Sequence, residues 1–370
     1  MRKKSIAVAA TVAIAAVAAA ASVAAVNSGQ SAAAPSSSCN KLNLFVWEGY
    51  ADPSFVKPFE QKYGVKLNAT YFSTEDQELA KMVAGGTKQY DVVTASSDNR
   101  KQLADAGVIQ PLDTSRLPHY KQIFPFLKPT YQLKGKTWAV AQDWGVNPFV
   151  YSKKVFKTPP TNWNVMFDPR FKGRLGIWGD YSIVYIGASL LGYDKNPKQL
   201  FNLSSSQLTA IKNKMLQLKP QIRKVWSTGG DLIQLFANGE VVGSLGWNYV
   251  YQQLALKHFP VGQVVFKDHG AEGWIDANAI SSGIKPECVD LAYKWIDYMT
   301  TAKPSAQLAN VTGYAVATLA AKKYMSASLI KSTSMDRPYA YMKGAIIKVD
   351  PVNRQAYVKT SMEILAGLGG

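Results

Sequence analysis

Residues 42–50, LNLFVWEGY, begin as an apolar run and end in Trp47, Glu48 and Tyr50, two aromatics flanking a carboxylate. Trp274 and Asp276 lie two apart in an alternating stretch, so on a strand both side chains point to one face. Trp247 closes the apolar run 241–245 beside Asn248, and Tyr314 follows Gly313. Indole and phenol faces attract an ammonium group by about 0.5–2 kcal/mol per contact. A buried carboxylate adds a charge-assisted hydrogen bond that orients the amine. These residue types, recurring at strand ends, describe a box for a cationic amine, although each tryptophan taken singly would serve equally well in a core.

The elements around them must bring distant segments to one place. The run 42–46 reads as a strand, followed by a helix with Pro53 near its start and Phe55, Val56, Phe59 and Tyr63 on one face. Residues 65–72 alternate as a second strand. Thr74 then offers an N-cap with Gln77 three residues on, Leu79, Met82 and Val83 facing inward, and Gly85 and Gly86 as a stop. A strand over 90–94 runs into Ala95, Ser96, Ser97, Asp98 and Asn99, and a further helix through Leu103 ends at Gly107. This rhythm predicts an α/β protein with a mostly parallel sheet, in which ligands sit where strands end and helices begin. Beyond Pro148 the spacing predicts helices over 208–218 and 232–239, strands over 241–245 and 274–280, and a helix over 287–300 with Val289, Leu291, Ala292, Trp295, Ile296 and Met299 as its buried stripe.

Catalytic signals are poor. The three histidines, His119, His258 and His269, lack zinc-ligand spacing, and there is no nucleophile elbow, P-loop or dinucleotide fingerprint. An enzyme is not expected, nor a cofactor or metal. The chain of 370 residues carries a formal charge of +17, with lysines spread along its length rather than gathered into a nucleic-acid-binding arm. Arg2, Lys3 and Lys4 precede an uncharged Ala/Val run over 6–26, which reads as an export signal, and its length also suits an uncleaved membrane anchor. Residues 27–38 are rich in Ser, Ala and Pro and read as a tether. Lipidation of Cys39 would want an apolar residue where Ser36 stands. The only other cysteine is Cys288; an oxidising compartment allows a disulfide between them, and two unpaired thiols are the alternative.

At these residues the chain resembles the extracellular solute-binding proteins of ABC importers, in their spermidine/putrescine-binding branch. The likeness is carried by FVWEGY at 45–50, YDVV at 90–93, AGVIQPLD at 106–113, LGWN at 245–248, EGWID at 272–276 and TGY at 312–314. It implies the two-lobed type II periplasmic-binding-protein fold with the ligand in the interlobe cleft. Lobe 1 would comprise 40–147 plus 271–370 and lobe 2 would comprise 148–270, after an export signal or anchor over 1–26 and a tether over 27–39. The family's first-lobe aromatics fall on Trp47 and Tyr50, its strand-end hydroxyl near Ser96 and Ser97, its second-lobe tryptophan on Trp247, its aromatic-x-Asp pair on Trp274 and Asp276, and its late tyrosine on Tyr314. Where the family often has an acid before the first tyrosine, this chain has Gly49, with Glu48 one residue earlier; the second-lobe acidic site offers Asp180, with Ser182 where a glutamate is common.

The resemblance implies a periplasmic or extracellular monomer that hands a small amine, such as putrescine or spermidine, to the transmembrane subunits of a permease, with no nucleic acid involved. Two other readings stand beside it. Related two-lobed proteins bind opines, thiamine, phosphonates or ferric iron, for which Tyr249 and Tyr251 would be candidate phenolates. The second is a secreted enzyme with an unrecognised carboxylate pair.

Overall fold

The computed structural model describes residues 39–266 and 271–369; the expected leader and nearly all of the tether lie outside the described residues. Two large sheets organise the described chain, and a third has only the two short strands Gln132–Leu133 and Lys136–Thr137. The first strand, Lys41–Val46, buries Leu42, Leu44, Phe45 and Val46. Helix Pro53–Tyr63 then starts on Asp52, whose side chain accepts from the Ser54 N–H, and stops at Gly64 with a left-handed φ of 65°. Strand Lys66–Tyr71 pairs parallel with Lys41–Val46 at the sheet edge, and strand Val92–Ser96 pairs parallel with it on the inner side.

The sheet is mixed rather than mostly parallel. The long strand Ala271–Ser281 runs antiparallel to Val92–Ser96 and to Val140–Val146, and the latter is antiparallel to Ala315–Val316. Strands Ile109–Gln110 and Ala345–Ile347 pair with the two ends of Ala271–Ser281. The second sheet has five strands in the order Ile222–Trp226, Leu175–Trp178, Gly243–Leu245, Phe149–Ser152, Val261–Val264.

The chain passes from the first sheet to the second through only Asn147 and Pro148, and returns after Val264. It then crosses again. Helix Arg354–Leu368 places Tyr357, Ile364 and Leu368 in the core of the second sheet, among Ile211, Met215 and Leu200. The Tyr357 hydroxyl donates to the Leu200 carbonyl at 2.9 Å and accepts from the Leu203 N–H at 2.8 Å. This helix lies beside helix Ser205–Leu216, so the last stretch of the expected first lobe, 354–368, packs with the core of the second sheet.

Helix Glu75–Val83 starts on Thr74 as expected, its hydroxyl accepting from the Gln77 N–H. Its inward face is different. Glu75, Glu78 and Met82 are buried, while Val83 is 61 % exposed. The stripe is rotated so that two carboxylates point inward, and they do so because partners wait for them. Cys39 and Cys288 form a disulfide that ties the start of the first strand to the start of helix Val289–Met299. Among the described residues no helix is long and apolar enough to cross a membrane.

Candidate ligand-binding site

Strand ends converge on one cleft between the two sheets. Strand Lys41–Val46 delivers Trp47, Glu48 and Tyr50 on a turn in which the Tyr50 N–H donates to the Trp47 carbonyl. Gly49 sits in that turn at φ 92°, a left-handed conformation that explains glycine where an acid was expected. Strand Val92–Ser96 delivers Ser96, and strand Ala271–Ser281 delivers Trp274 and Asp276 on one face. The Trp274 indole lies against Gly145 of the neighbouring strand, where a Cβ would come within 2.8 Å of the ring. Tyr314 meets Trp274 edge-on at 4.6 Å.

The opposite wall comes from the second sheet. Trp247 stands two residues past strand Gly243–Leu245, at the start of helix Asn248–Leu256, and Trp178 ends strand Leu175–Trp178. Their rings meet edge-on at 5.0 Å, and Trp47 approaches both, at 5.8 Å from Trp247 and 6.3 Å from Trp178. The two walls also touch at the rim. Glu48 accepts a hydrogen bond of 2.9 Å from the Gly230 N–H, in the first turn of helix Gly229–Ala237, where the free N–H groups and the helix dipole favour a carboxylate. Gly229 and Gly230 permit that approach: added Cβ atoms would lie 2.8 Å from the Tyr249 ring and 2.9 Å from Glu48 Oε1.

Asp276 is the polar centre. Its Oδ1 accepts from the Ser96 hydroxyl at 2.6 Å, and Ser96 in turn accepts from the Trp47 indole N–H at 3.3 Å. The Tyr50 hydroxyl lies 2.7 Å from Asp276 Oδ2 and 3.0 Å from Asp143 Oδ1. Burial drives the Asp276 carboxyl up to about 6, against the pull of the Ser96 and Tyr50 hydroxyls. Burial and then the adjacent Asp276 charge drive Asp143 well above the carboxylate range. Two carboxyls sharing one phenol hold a proton on Asp143 and leave the negative charge on Asp276, the one that faces the cleft.

Eight of the ten residues read from the sequence line this cleft: Trp47, Glu48, Tyr50, Ser96, Trp247, Trp274, Asp276 and Tyr314. Ser97 and Asp180 do not. Ser97 is buried behind the wall, where its N–H donates to the Ile275 carbonyl at 2.8 Å. Asp180 turns back to accept from the Ser182 N–H at 2.8 Å. Four lining residues were missed: Glu75, Asn147, Trp178 and Lys348. Trp178 obeys the same strand-end rule as Trp47 and Trp247. Glu75 belongs to an i, i+3, i+7 stripe with Glu78 and Met82 that reads as inward once acids are admitted to it. Asn147 is the crossing residue itself. No periodic signal marks Lys348.

The sequence matches the bacterial extracellular solute-binding protein family over residues 54–334. It is 26 % identical over 324 residues to spermidine/putrescine-binding periplasmic protein 1 of Haemophilus influenzae, covering 86 % of this chain and 85 % of the relative. It is 27 % identical over 305 residues to the putrescine/cadaverine-binding protein of Pseudomonas aeruginosa, covering 76 % of this chain and 81 % of the relative. Among solved structures, the spermidine/putrescine ABC transporter substrate-binding protein PotD of Streptococcus pneumoniae superposes with a TM-score of 0.70 at 20 % identity, over 89 % of this chain and 98 % of that one. MotA of A. tumefaciens, solved in complex with glucopine, superposes with a TM-score of 0.70 at 18 % identity, over 87 % and 99 % of the two chains. The fold is the type II periplasmic-binding-protein fold, and the chain belongs to the bacterial extracellular solute-binding protein family.

Proposed function

We propose that this protein is the solute receptor of an ABC importer, that its solute is a small cationic amine of the polyamine class, and that it hands the amine on to the transmembrane subunits unaltered. The observation that carries the reading is Asp276, a buried carboxylate facing a cleft walled by Trp47, Trp178, Trp247, Trp274 and Tyr314. An ammonium there gains an ion pair of low solvent exposure together with several aromatic faces. The names of the curated relatives point to the same class.

The mechanism follows from the two walls. Free space in the cleft is about 40 Å³, room for roughly three waters, so a diamine enters when the rims held together by Glu48 and Gly230 part. Bound ligand touches both sheets and favours closure by its differential affinity for the closed state. Shifting the population from mostly open to mostly closed takes about 5.5 kcal/mol, within reach of one ion pair and several ring contacts.

Calorimetric titration with putrescine between pH 5 and 8 tests the reading. The amine binds ionised Asp276, so affinity is expected to be level above about pH 7 and to fall toward tenfold per unit below about 5, with proton release on binding near 6. The free protein shows the opposite linkage at this group. Its raised carboxyl contributes stability at low pH that is lost as pH rises through about 6. Tighter binding of an opine or thiamine, with no heat from any amine, would reject the proposal.

A further inference from the structure

The same cleft already contains a cation. Lys348 follows strand Ala345–Ile347, where the chain leaves the first sheet for the second core, and its backbone N–H donates to the Gly273 carbonyl at 2.7 Å. Its side chain is almost wholly buried, yet it lines the cleft. The ammonium stands 3.3 Å from Asp98 Oδ2, 3.5 Å from Glu272 Oε1 and 3.6 Å from Glu75 Oε1. Arg354 completes the arrangement, donating to the Asp98 carbonyl at 3.1 Å and to Asp76 Oδ1 at 2.9 Å. Burial works to raise Asp98, but Lys348 and Arg354 outweigh it and hold the carboxylate ionised. Burial and the Asp98 charge push the Glu75 carboxyl up, and Lys348 beside it pulls the other way. Charge around Lys348 is therefore balanced from within the protein.

Among the described residues three carboxyl side chains line the cleft: Glu48, Glu75 and Asp276. Lys348 is the cation beside Glu75, and Glu75 Oε2 is buried without a hydrogen-bond partner. Two acids remain for a ligand, Asp276 at the centre and Glu48 at the rim. We infer that Lys348 is a specificity-determining residue whose ammonium takes the place of a third ligand charge, so that the cleft selects diamines over triamines. A third ligand ammonium would have to approach the Lys348 ammonium and would find no unbalanced anion there. A ligand carboxylate fares no better, since Asp98, Glu272 and Glu75 already surround Lys348. This inference rests on the amine reading and adds the number of charges the ligand carries.

The test is calorimetry on the full chain at pH 7.5 with putrescine, spermidine and 4-aminobutyrate. Wild type should bind putrescine at least tenfold more tightly than spermidine, and 4-aminobutyrate more weakly than putrescine. Lys348→Gln frees Asp98 and Glu75, and should raise spermidine affinity relative to putrescine by at least tenfold. Removing one member of a buried charge cluster threatens folding. Lys348→Gln combined with Glu75→Gln removes one cationic and one acidic side chain together, and should keep closer to the wild-type ratio than Lys348→Gln does. Wild type binding spermidine as tightly as putrescine, or 4-aminobutyrate more tightly, overturns the inference and leaves an amine receptor standing in the first case. A putrescine-to-spermidine ratio unmoved by Lys348→Gln also overturns it. Wild type binding none of the three rejects the amine reading itself, and this inference with it.

Discussion

Asp276→Asn is expected to weaken amine binding about a hundredfold, roughly 2.7 kcal/mol, without lowering the stability of the free protein. The two halves of that expectation have separate causes. Affinity falls because the amide carries no charge and because its NH2 would face the hydroxyls of Ser96 or Tyr50, both of which are placed to donate. Stability holds because the ionised carboxylate is a burden when no ligand is bound: burial pushes its titration up to about 6 despite the Ser96 and Tyr50 hydroxyls. Relieved of that neighbour, Asp143 loses the like charge that helps keep it protonated. The variant should therefore melt at or slightly above the wild-type temperature, and the loss of affinity between pH 7 and 5 should flatten. Asp143→Asn is the contrast. That group already holds a proton and does not line the cleft, so affinity should move by only a few fold. A titration of Asp276→Asn with unchanged affinity would remove Asp276 from the site.

The strand-end rule made much of this cleft legible from sequence. Apolar runs that stop on Trp47 and Trp247 placed those residues at sheet ends, and the two-residue spacing of Trp274 and Asp276 put both on one face. Strand direction was not legible in the same way. Val140–Val146 is buried throughout, and a run buried on both faces shows no alternation to tell parallel from antiparallel. Its neighbour Ala271–Ser281 comes more than a hundred residues later, so the mixed sheet depends on a return that no local pattern announces. The charged residues were hidden for a different reason. Glu75, Asp98, Glu272 and Lys348 are individually improbable inside a protein and become stable there only together. Each read alone belongs on the surface. Their meeting requires helix Glu75–Val83, the loop after Val92–Ser96 and the exit from Ala345–Ile347 to be in place at once.

The same separation of site from scaffold governs the disulfide. Reducing it, or replacing Cys39 and Cys288 by serine, is expected to cost roughly 3 kcal/mol of stability while changing ligand affinity less than about twofold. The bond spans 249 residues of sequence, and closing a loop of that length restricts the unfolded chain strongly, with about 2–4 kcal/mol the usual yield. In a chain of more than 300 residues 1 kcal/mol moves the melting temperature by only about 1–2 °C, so a fall of roughly 3–6 °C should appear in calorimetric scans run with reductant. Affinity is spared by distance. Cys39 anchors the start of strand Lys41–Val46 whereas Trp47 leaves its far end, and six residues of strand span about 20 Å. Cys288 likewise caps helix Val289–Met299, none of whose residues lines the cleft. Rapid reaction of two thiols in the native protein, with no change in melting temperature on adding reductant, would refute the bond. A large loss of affinity on reduction would instead show that the first strand holds its place only when tied at its start, and that the position of Trp47 depends on it.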